Sequence, residues 1–339
     1  RVGALLAMDE LSLAAIVRAS PLAAIAPTFA PHNGSEGGGS ASALPLVFAH
    51  GMGDSCFNAG MKSITAGAGA HVGQYSVCIP TGKNKITDTI NGFLKDMDSS
   101  VDVFAAAIKA DAKLAGGFHC VGLSQGNSLC RGYIERYSGV SGYPIVGTFL
   151  SVHGTVMGVA AFPQCNPDGK IKLLSPVCRA LAEVLGALAY NELVQGILFQ
   201  ADYFRDPTKV DEEAYLAHSQ IAAWNNENED GGDRSSAPSL SLSPAGAARK
   251  ANFGKTQQFV MVRALGDTEV FPNEGEWWGE FAPGGFDTVL SMNQTKLYTR
   301  DLFGLRSADL AGKIHYESTP GNHLRFTDAD LYGWLDKYL

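Results

Sequence analysis

The pentapeptide Gly-Leu-Ser-Gln-Gly at 122–126 has the G-x-S-x-G pattern that places a nucleophilic serine on a sharp turn between a strand and a helix. It follows a largely apolar run at 118–121 and precedes a segment at 127–137 that we predict to be helical. Glycine on both sides leaves room for the strained backbone that exposes the hydroxyl of Ser124. Because the chain holds 39 glycines, a glycine-rich connecting loop is the alternative interpretation. Ser124 is therefore a candidate nucleophile that needs partners from elsewhere in the chain.

Asp267 and His323 are the residues that could activate such a serine. Each follows a predicted late strand, at 258–265 and 312–319. When strands and helices alternate, the acid and the base lie on loops beyond successive late strands, in the chain order Ser, Asp, His. His323 would accept the proton of the Ser124 hydroxyl, and Asp267 would hold the imidazole in the required tautomer. These three residues form our candidate catalytic set.

Other histidines and aspartates are weaker candidates. His153 ends a predicted strand and could be catalytic, but a histidine in that position is more often structural. His315 lies inside a predicted strand, where we expect its side chain to be packed or to face solvent. Asp287 and Asp301 lie in or near loops but lack a preceding strand. None of these four residues is therefore part of the candidate set.

The glycine-punctuated turn at 50–55, His-Gly-Met-Gly-Asp-Ser, follows the first predicted strand. A backbone N–H in such a loop can join the N–H of the residue after the nucleophile to bind the negative oxygen that forms on a reacting carbonyl. Met52 and Gln125 are therefore the predicted donors. The assignment depends on position, since a backbone donor requires no particular side chain.

The elements that would position these residues alternate between strand and helix. Short apolar runs predict strands buried on both faces of a mainly parallel sheet, and helical periodicity follows several of them. This alternation predicts a doubly wound α/β fold. The predicted strands are 44–50, 75–80, 118–121, 147–152, 258–265 and 312–319, and the predicted helices are 86–112, 127–137 and 328–339.

The alternation stops between about residues 155 and 255, where an apolar helical segment is followed by a polar stretch. We predict a core formed by 44–154 and 256–339, with 155–255 as a helical insertion. An apolar insertion after the nucleophile can cap the site and hold a long hydrocarbon chain. A helical subdomain that only packs on the sheet is the alternative.

Composition limits the classes of function. A length of 339 residues with 45% hydrophobic and 18% charged residues fits a globular protein with a large core. A net charge of −8 without a basic run argues against nucleic acid as a partner. The six cysteines lack the paired spacing of a zinc site, so we predict neither a metal nor another cofactor. Six cysteines, together with the sequons at Asn33 and Asn293, favour a secretory compartment.

The chain begins with Arg rather than Met, and we expect residues 1–43 to be the remnant of a leader or a flexible linker. Charged residues interrupt its apolar run well short of the ~20 residues that cross a bilayer, so we predict no membrane span. A segment that covers an apolar groove elsewhere is the alternative. That alternative rests on apolar residues at helical spacing, namely Leu5, Met8, Leu11 and Ala15.

From residue 44 to its end the chain resembles the palmitoyl-protein thioesterases, lysosomal lipid-thioester hydrolases with the α/β-hydrolase fold. The resemblance implies Ser124 as nucleophile, Asp267 as acid and His323 as base, with Met52 and Gln125 as oxyanion donors. It rests on the motifs HGMGDSC at 50–56, GLSQGN at 122–127, QADYFRDP at 200–207, FVMV at 259–262, EWWGE at 276–280, TKLYTRDLFGL at 295–305 and GNHL at 321–324.

The same resemblance implies an acyl-binding groove built from helices within 155–204 and a disulfide between Cys165 and Cys178. It also shows departures from the family. The vicinal cysteine pair of the family is reduced here to Cys56 followed by Phe57, and the other bridge of the family has no clear counterpart. The remaining cysteines, Cys78, Cys120 and Cys130, have no assigned partner.

The function implied is hydrolysis of long-chain acyl thioesters, such as S-palmitoyl cysteine in lipidated proteins or peptides, in a lysosome or vacuole or after secretion. A thiol leaving group with a pKa near 8.5 departs with less help from an acid than an alkoxide needs. Burial of a palmitoyl tail would supply on the order of 10 kcal/mol before ordering costs. A lipase or carboxylesterase with the same triad is one alternative, and a catalytically silent lipid-binding module is another.

Overall fold

The computed structural model describes residues 44–161, 186, 188–229 and 242–339. The 1–43 segment, the predicted Cys165–Cys178 bridge and the sequon at Asn33 lie outside the described residues. In the described part of the chain no helix combines the length and the apolar character that crossing a membrane requires.

Six parallel strands form the central sheet, in the spatial order β2-β1-β3-β4-β5-β8, and β6 and β7 form a separate antiparallel pair. The sheet and its flanking helices confirm the predicted α/β fold. The strands are β1 (Leu46–Ala49), β2 (Ser76–Cys78), β3 (Phe118–Leu123), β4 (Val146–Val152), β5 (Gln258–Ala264), β6 (Glu280–Phe281), β7 (Val289–Leu290) and β8 (Ile314–Thr319).

Strands β1, β3 and β4 are buried along their whole length. Successive side chains of a strand point to opposite faces, and here both faces are covered. In β1, for example, Val47 and Ala49 pack into one hydrophobic cluster, whereas Leu46 and Phe48 pack into the cluster on the other side. In the sequence, such strands therefore appear as continuous apolar runs rather than as alternating apolar and polar residues.

Helices cover both faces of the sheet, and short helices fill the described part of 155–255. The α-helices are α1 (Ala59–Val72), α2 (Lys85–Leu94), α3 (Met97–Ala110), α4 (Gly126–Arg136), α5 (Glu192–Gln195), α6 (Phe199–Asp202), α7 (Glu213–His218), α8 (Gln220–Trp224), α9 (Pro244–Phe253), α10 (Lys296–Thr299), α11 (Leu305–Leu310) and α12 (Asp328–Tyr338). Single 3₁₀ turns lie at Ala112–Leu114, Glu227–Glu229, Asn273–Trp277 and Met292–Gln294. The predicted division into a core and an insertion stays a prediction.

The prediction of one helix over 86–112 is wrong, because the chain breaks between α2 and α3. Lys95 is extended, and the side chain of Asp96 accepts the N–H of Ser99 as a new helix cap. The Met97 N–H donates to Asp202 Oδ2 at 2.6 Å. A residue about a hundred positions later thus contacts the chain at the break, and helical periodicity cannot reveal such a contact.

Two disulfides connect the four described cysteines. Cys56–Cys78 joins the loop after β1 to the end of β2, and Cys120–Cys130 joins β3 to α4. The second bridge closes a loop that contains Ser124. A disulfide that closes a loop of this length stabilises a fold by about 3 kcal/mol. Sequence reasoning left all four cysteines unpaired, since pairing depends on the distance between elements.

Candidate functional site

Ser124 lies in the turn between β3 and α4, with a backbone φ of +55° that L-residues rarely adopt. The glycines around it are required by close contacts. A Cβ at Gly122 would collide with the Asn127 side chain, and a Cβ at Gly126 would collide with the carbonyl oxygen of Ala49. The G-x-S-x-G pattern is therefore explained by the packing of this turn against β1 and α4.

His323 contacts both other members of the predicted set. Its Nε2 lies 2.7 Å from Ser124 Oγ, and its Nδ1 lies 2.6 Å from Asp267 Oδ2. Because β3, β4, β5 and β8 are parallel neighbours, the loops after them meet at one edge of the sheet. The structure thus brings together three residues whose outermost members are 199 positions apart.

The Asp267 side chain is fully buried and receives several hydrogen bonds. Its Oδ1 accepts the N–H groups of Glu269 at 2.6 Å and Val270 at 2.9 Å. Burial alone would raise the pKa of Asp267, but hydrogen bonds from His323, Glu276 and the Val270 amide hold it well below the usual range. The carboxylate is therefore ionised and accepts a hydrogen bond from Nδ1 of the imidazole. That tautomer leaves Nε2 free to accept the serine proton.

The loop after β1 lies against the serine. A Cβ at Gly51 would stand 3.1 Å from the Cβ of Ser124. Within the described chain, neither the Met52 N–H nor the Gln125 N–H donates a hydrogen bond. Their catalytic role stays a prediction.

The side chain of Gln125 is held in place by three contacts. Its Nε2 donates to the carbonyl of Gly92 at 2.8 Å, and its Oε1 accepts from Gln200 Nε2 at 2.7 Å and from the Tyr203 hydroxyl at 2.9 Å. Gln200 and Tyr203 belong to the QADYFRDP motif. These bonds fix the residue that carries one predicted oxyanion donor.

Asp88, at 0% exposure, anchors the loop after β1 from helix α2. Sequence reasoning missed it, because an aspartate inside a predicted helix is normally exposed. Donors from two loops converge on its carboxylate, namely the Ser55 hydroxyl at 2.8 Å and the amides of Cys56 at 2.9 Å, Thr81 at 2.7 Å and Gly82 at 3.1 Å. The buried carboxylate therefore connects the loop at residues 50–56 to the loop at residues 81–82.

His50 completes this anchor. Its Nδ1 donates to the Gly51 carbonyl at 2.9 Å, and its Nε2 lies 3.3 Å from Asp88 Oδ2. Burial opposes the charged imidazole, but the interaction with the Asp88 carboxylate and the hydrogen bond to the Gly51 carbonyl raise the pKa of His50. Burial likewise opposes the carboxylate, yet His50 and the other donors lower the pKa of Asp88. The two side chains form a buried ion pair.

His153 lies next to the predicted triad without joining it. It is fully buried, its Nδ1 accepts the Leu324 N–H at 2.8 Å, and its Nε2 donates to the Thr319 hydroxyl at 3.0 Å. Burial, with the nearby His323, lowers the pKa of His153 to about 3, so the ring is neutral. It holds the backbone directly after His323.

Replacement of His153 by alanine is expected to lower kcat about tenfold, with little change in KM. The Leu324 N–H would lose its acceptor, at a cost of about 1–3 kcal/mol, and His323 would lose its fixed backbone. Steady-state kinetics of His153→Ala check this. His315→Ala is the matched control, because His315 is only partly buried and its ring centre lies 5.1 Å from that of Tyr338. Equal effects of the two substitutions would contradict a role for His153.

Asp287 is exposed, and Asp301 pairs with Lys250 at 2.9 Å and accepts the Ser307 N–H at 3.1 Å. Asn293 is exposed and stays a glycosylation candidate.

Two groups of described residues have the side-chain types of a metal site. In the first, His50 and Asp88 lie beside Cys56, which is bonded to Cys78. In the second, His153, Asp267 and His323 already hydrogen-bond to protein groups. In neither group are all the potential ligand atoms free.

The sequence matches known proteins along most of its length. The family model for palmitoyl protein thioesterase matches residues 45–323. Palmitoyl-protein thioesterase 1 of Caenorhabditis elegans is 29% identical over 85% of this chain and 89% of that protein. Palmitoyl-protein thioesterase 3 of Dictyostelium discoideum is 28% identical over 67% of this chain and 68% of that protein. Lysosomal thioesterase PPT2-B of Xenopus laevis is 26% identical over 60% of this chain and 62% of that protein.

Proposed function

The chain belongs to the palmitoyl protein thioesterase family, and from this premise we propose that it hydrolyses long-chain acyl thioesters such as S-palmitoyl cysteine. Membership makes it a serine hydrolase of the thioesterase type. The main support for the proposal is the position of the His323 imidazole, which contacts Ser124 Oγ at 2.7 Å and Asp267 Oδ2 at 2.6 Å. Nucleophile, base and orienting acid have the geometry that acyl transfer requires.

In the first half of the reaction, Ser124 Oγ attacks the thioester carbonyl carbon while His323 Nε2 takes the hydroxyl proton. The amides of Met52 and Gln125 would bind the resulting oxyanion. Collapse of this intermediate breaks the carbon–sulfur bond, and the imidazolium returns the proton to the departing thiolate. The products are a free thiol and an acyl-Ser124 ester.

In the second half, water replaces the thiol. His323 takes a proton from water as the hydroxide oxygen attacks the acyl-serine carbonyl, and the same two amides would bind the oxyanion. The carbon–oxygen bond to Ser124 then breaks, and the imidazolium protonates Oγ. A fatty acid leaves and the enzyme is regenerated.

The binding energy of the acyl chain supports the proposed substrate class. A buried palmitoyl chain contributes on the order of 10 kcal/mol before ordering costs, so recognition would depend mainly on the chain. The groove predicted within 155–204 includes residues 162–185 and 187, which lie outside the described residues. S-acylated proteins and peptides are the proposed partners, and a lysosome, a vacuole or the extracellular space is the proposed location.

Two measurements test this proposal. A fluorophosphonate probe is expected to label the protein covalently, and Ser124→Ala is expected to abolish labelling whereas Ser318→Ala, at an exposed position, leaves it intact. The enzyme is expected to cleave palmitoyl thioesters with a higher kcat/KM than p-nitrophenyl oxygen esters of any chain length. A preference for short oxygen esters would contradict the proposal and indicate a carboxylesterase. A lack of labelling would contradict it and indicate a lipid-binding protein without catalytic activity.

A further inference from the structure

Glu276 is a buried carboxyl group in direct contact with Asp267. It lies in the single turn Asn273–Trp277 after β5, at 0% exposure, and begins the EWWGE motif. Its Oε2 accepts the Ala264 N–H at 2.6 Å. Its Oε1 is buried and meets no donor among the described residues, and its carboxyl group lies within hydrogen-bonding reach of that of Asp267. Two carboxyl groups therefore meet beside the imidazole of His323.

Two adjacent buried carboxyl groups cannot both be ionised, so one of them holds a proton. Asp267 receives the His323 imidazole and two backbone amides, which favour its charged form. Glu276 receives a single amide. Burial first, and then the hydrogen bond and the charge of Asp267, raise the pKa of Glu276 to about 11. The proton therefore lies on Glu276.

The nearby charges do not reverse this assignment. Arg263 on β5 favours the charged form of Glu276, but its guanidinium donates to Asn273 at 2.7 Å and Glu274 at 2.6 Å. On the other side of Asp267, the groups that face His323 are Glu269 and the neutral ring of His153. The positive charge of Arg263 is thus shared with Glu274, and Glu276 stays neutral.

We propose that Glu276 is a positioning residue, a protonated carboxylic acid that donates a hydrogen bond to Asp267. The inference rests on the proposed function, because it assigns Glu276 a part in orienting the catalytic base. The bond fixes the carboxylate that aligns His323. It also withdraws part of the negative charge that Asp267 presents to the imidazole.

The pair of variants Glu276→Gln and Glu276→Leu tests this role. Glutamine keeps a donor to Asp267 and an acceptor for the Ala264 N–H, whereas leucine keeps neither. Glu276→Gln is expected to retain kcat within about threefold and the acid limb of the pH profile of kcat/KM. Glu276→Leu is expected to lower kcat about tenfold or more and to move the acid limb about half a pH unit or more upward. A purely structural role would lower stability without moving that limb.

An infrared difference spectrum tests the proton itself, independently of activity and of the fate of the leucine variant. At pH 7.5, wild type minus Glu276→Gln is expected to show one carbonyl band of a protonated carboxylic acid. A carboxylate band in its place would overturn the proposal. A downward shift of the acid limb in Glu276→Gln would also overturn the proposal, because it would mean that Glu276 is ionised in the wild type. If the band is present and the thioesterase assay fails, the proton assignment stands and the proposed function fails.

Discussion

Replacement of Asp267 by asparagine is expected to lower kcat on palmitoyl thioester by about four orders of magnitude, with a small effect on KM. The amide of asparagine can donate to Nδ1 of His323, which would place the imidazole proton on Nε2. That nitrogen could then no longer accept the proton of Ser124. Folding is expected to survive, since asparagine has almost the same shape as aspartate and its oxygen could still accept the amides of Glu269 and Val270.

Steady-state kinetics and the rate of fluorophosphonate labelling measure this effect, and thermal unfolding confirms that the variant is folded. Asp287→Asn is the matched control, because Asp287 is an exposed aspartate on a nearby stretch of chain. It is expected to behave like the wild type. A folded Asp267→Asn enzyme with less than about a hundredfold loss of kcat would remove Asp267 from the catalytic set.

Replacement of Asp88 by asparagine is expected to lower the free energy of unfolding by about 3–5 kcal/mol at pH 5.5. The substitution leaves the protonated His50 buried without its counter-ion. It also weakens the acceptor on which the Ser55 hydroxyl and the Cys56 amide converge. Because this loop carries Met52, kcat is expected to fall as well.

The pH dependence of that loss follows from the two pKa shifts. The raised pKa of His50 gives stability that is complete below the ordinary histidine value near 6.5 and is lost as the pH rises through the folded value. The lowered pKa of Asp88 gives stability that is complete above the ordinary aspartate value near 3.9 and is lost as the pH falls through the folded value. The ion pair therefore stabilises the fold most between about pH 4 and 6.5.

Urea unfolding of the wild type and of Asp88→Asn at pH 5.5 and pH 8.5 measures this difference. Asp336→Asn is the matched control, since Asp336 also pairs with a histidine, His71, at 2.7 Å but is 65% exposed. That surface pair is expected to contribute less than about 1 kcal/mol. A deficit for Asp88→Asn no larger than that of the control, or larger at pH 8.5 than at pH 5.5, would contradict the buried ion pair.

The sequence alone located the three residues that meet at the site. Each lies at a strand end that its own neighbours reveal, and the glycines beside Ser124 mark a turn with no room for larger side chains. The positions of strands β1, β3 and β4 could also be predicted from the sequence, because burial on both faces requires a continuous apolar run. Local sequence determines such features, since the contacts that require them involve near neighbours or a whole strand face.

Only the tertiary structure decided which buried polar groups support the site. Asp88 and His50 lie 38 positions apart in the chain, and Glu276 meets Asp267 across a loop. Neither contact joins residues at a separation along the chain that a sequence motif could show. The same holds for the pairing of Cys120 with Cys130 and for the break at Asp96. A buried charge or proton depends on which groups the fold brings within hydrogen-bonding distance, and that distance is set by packing between elements rather than by order along the chain.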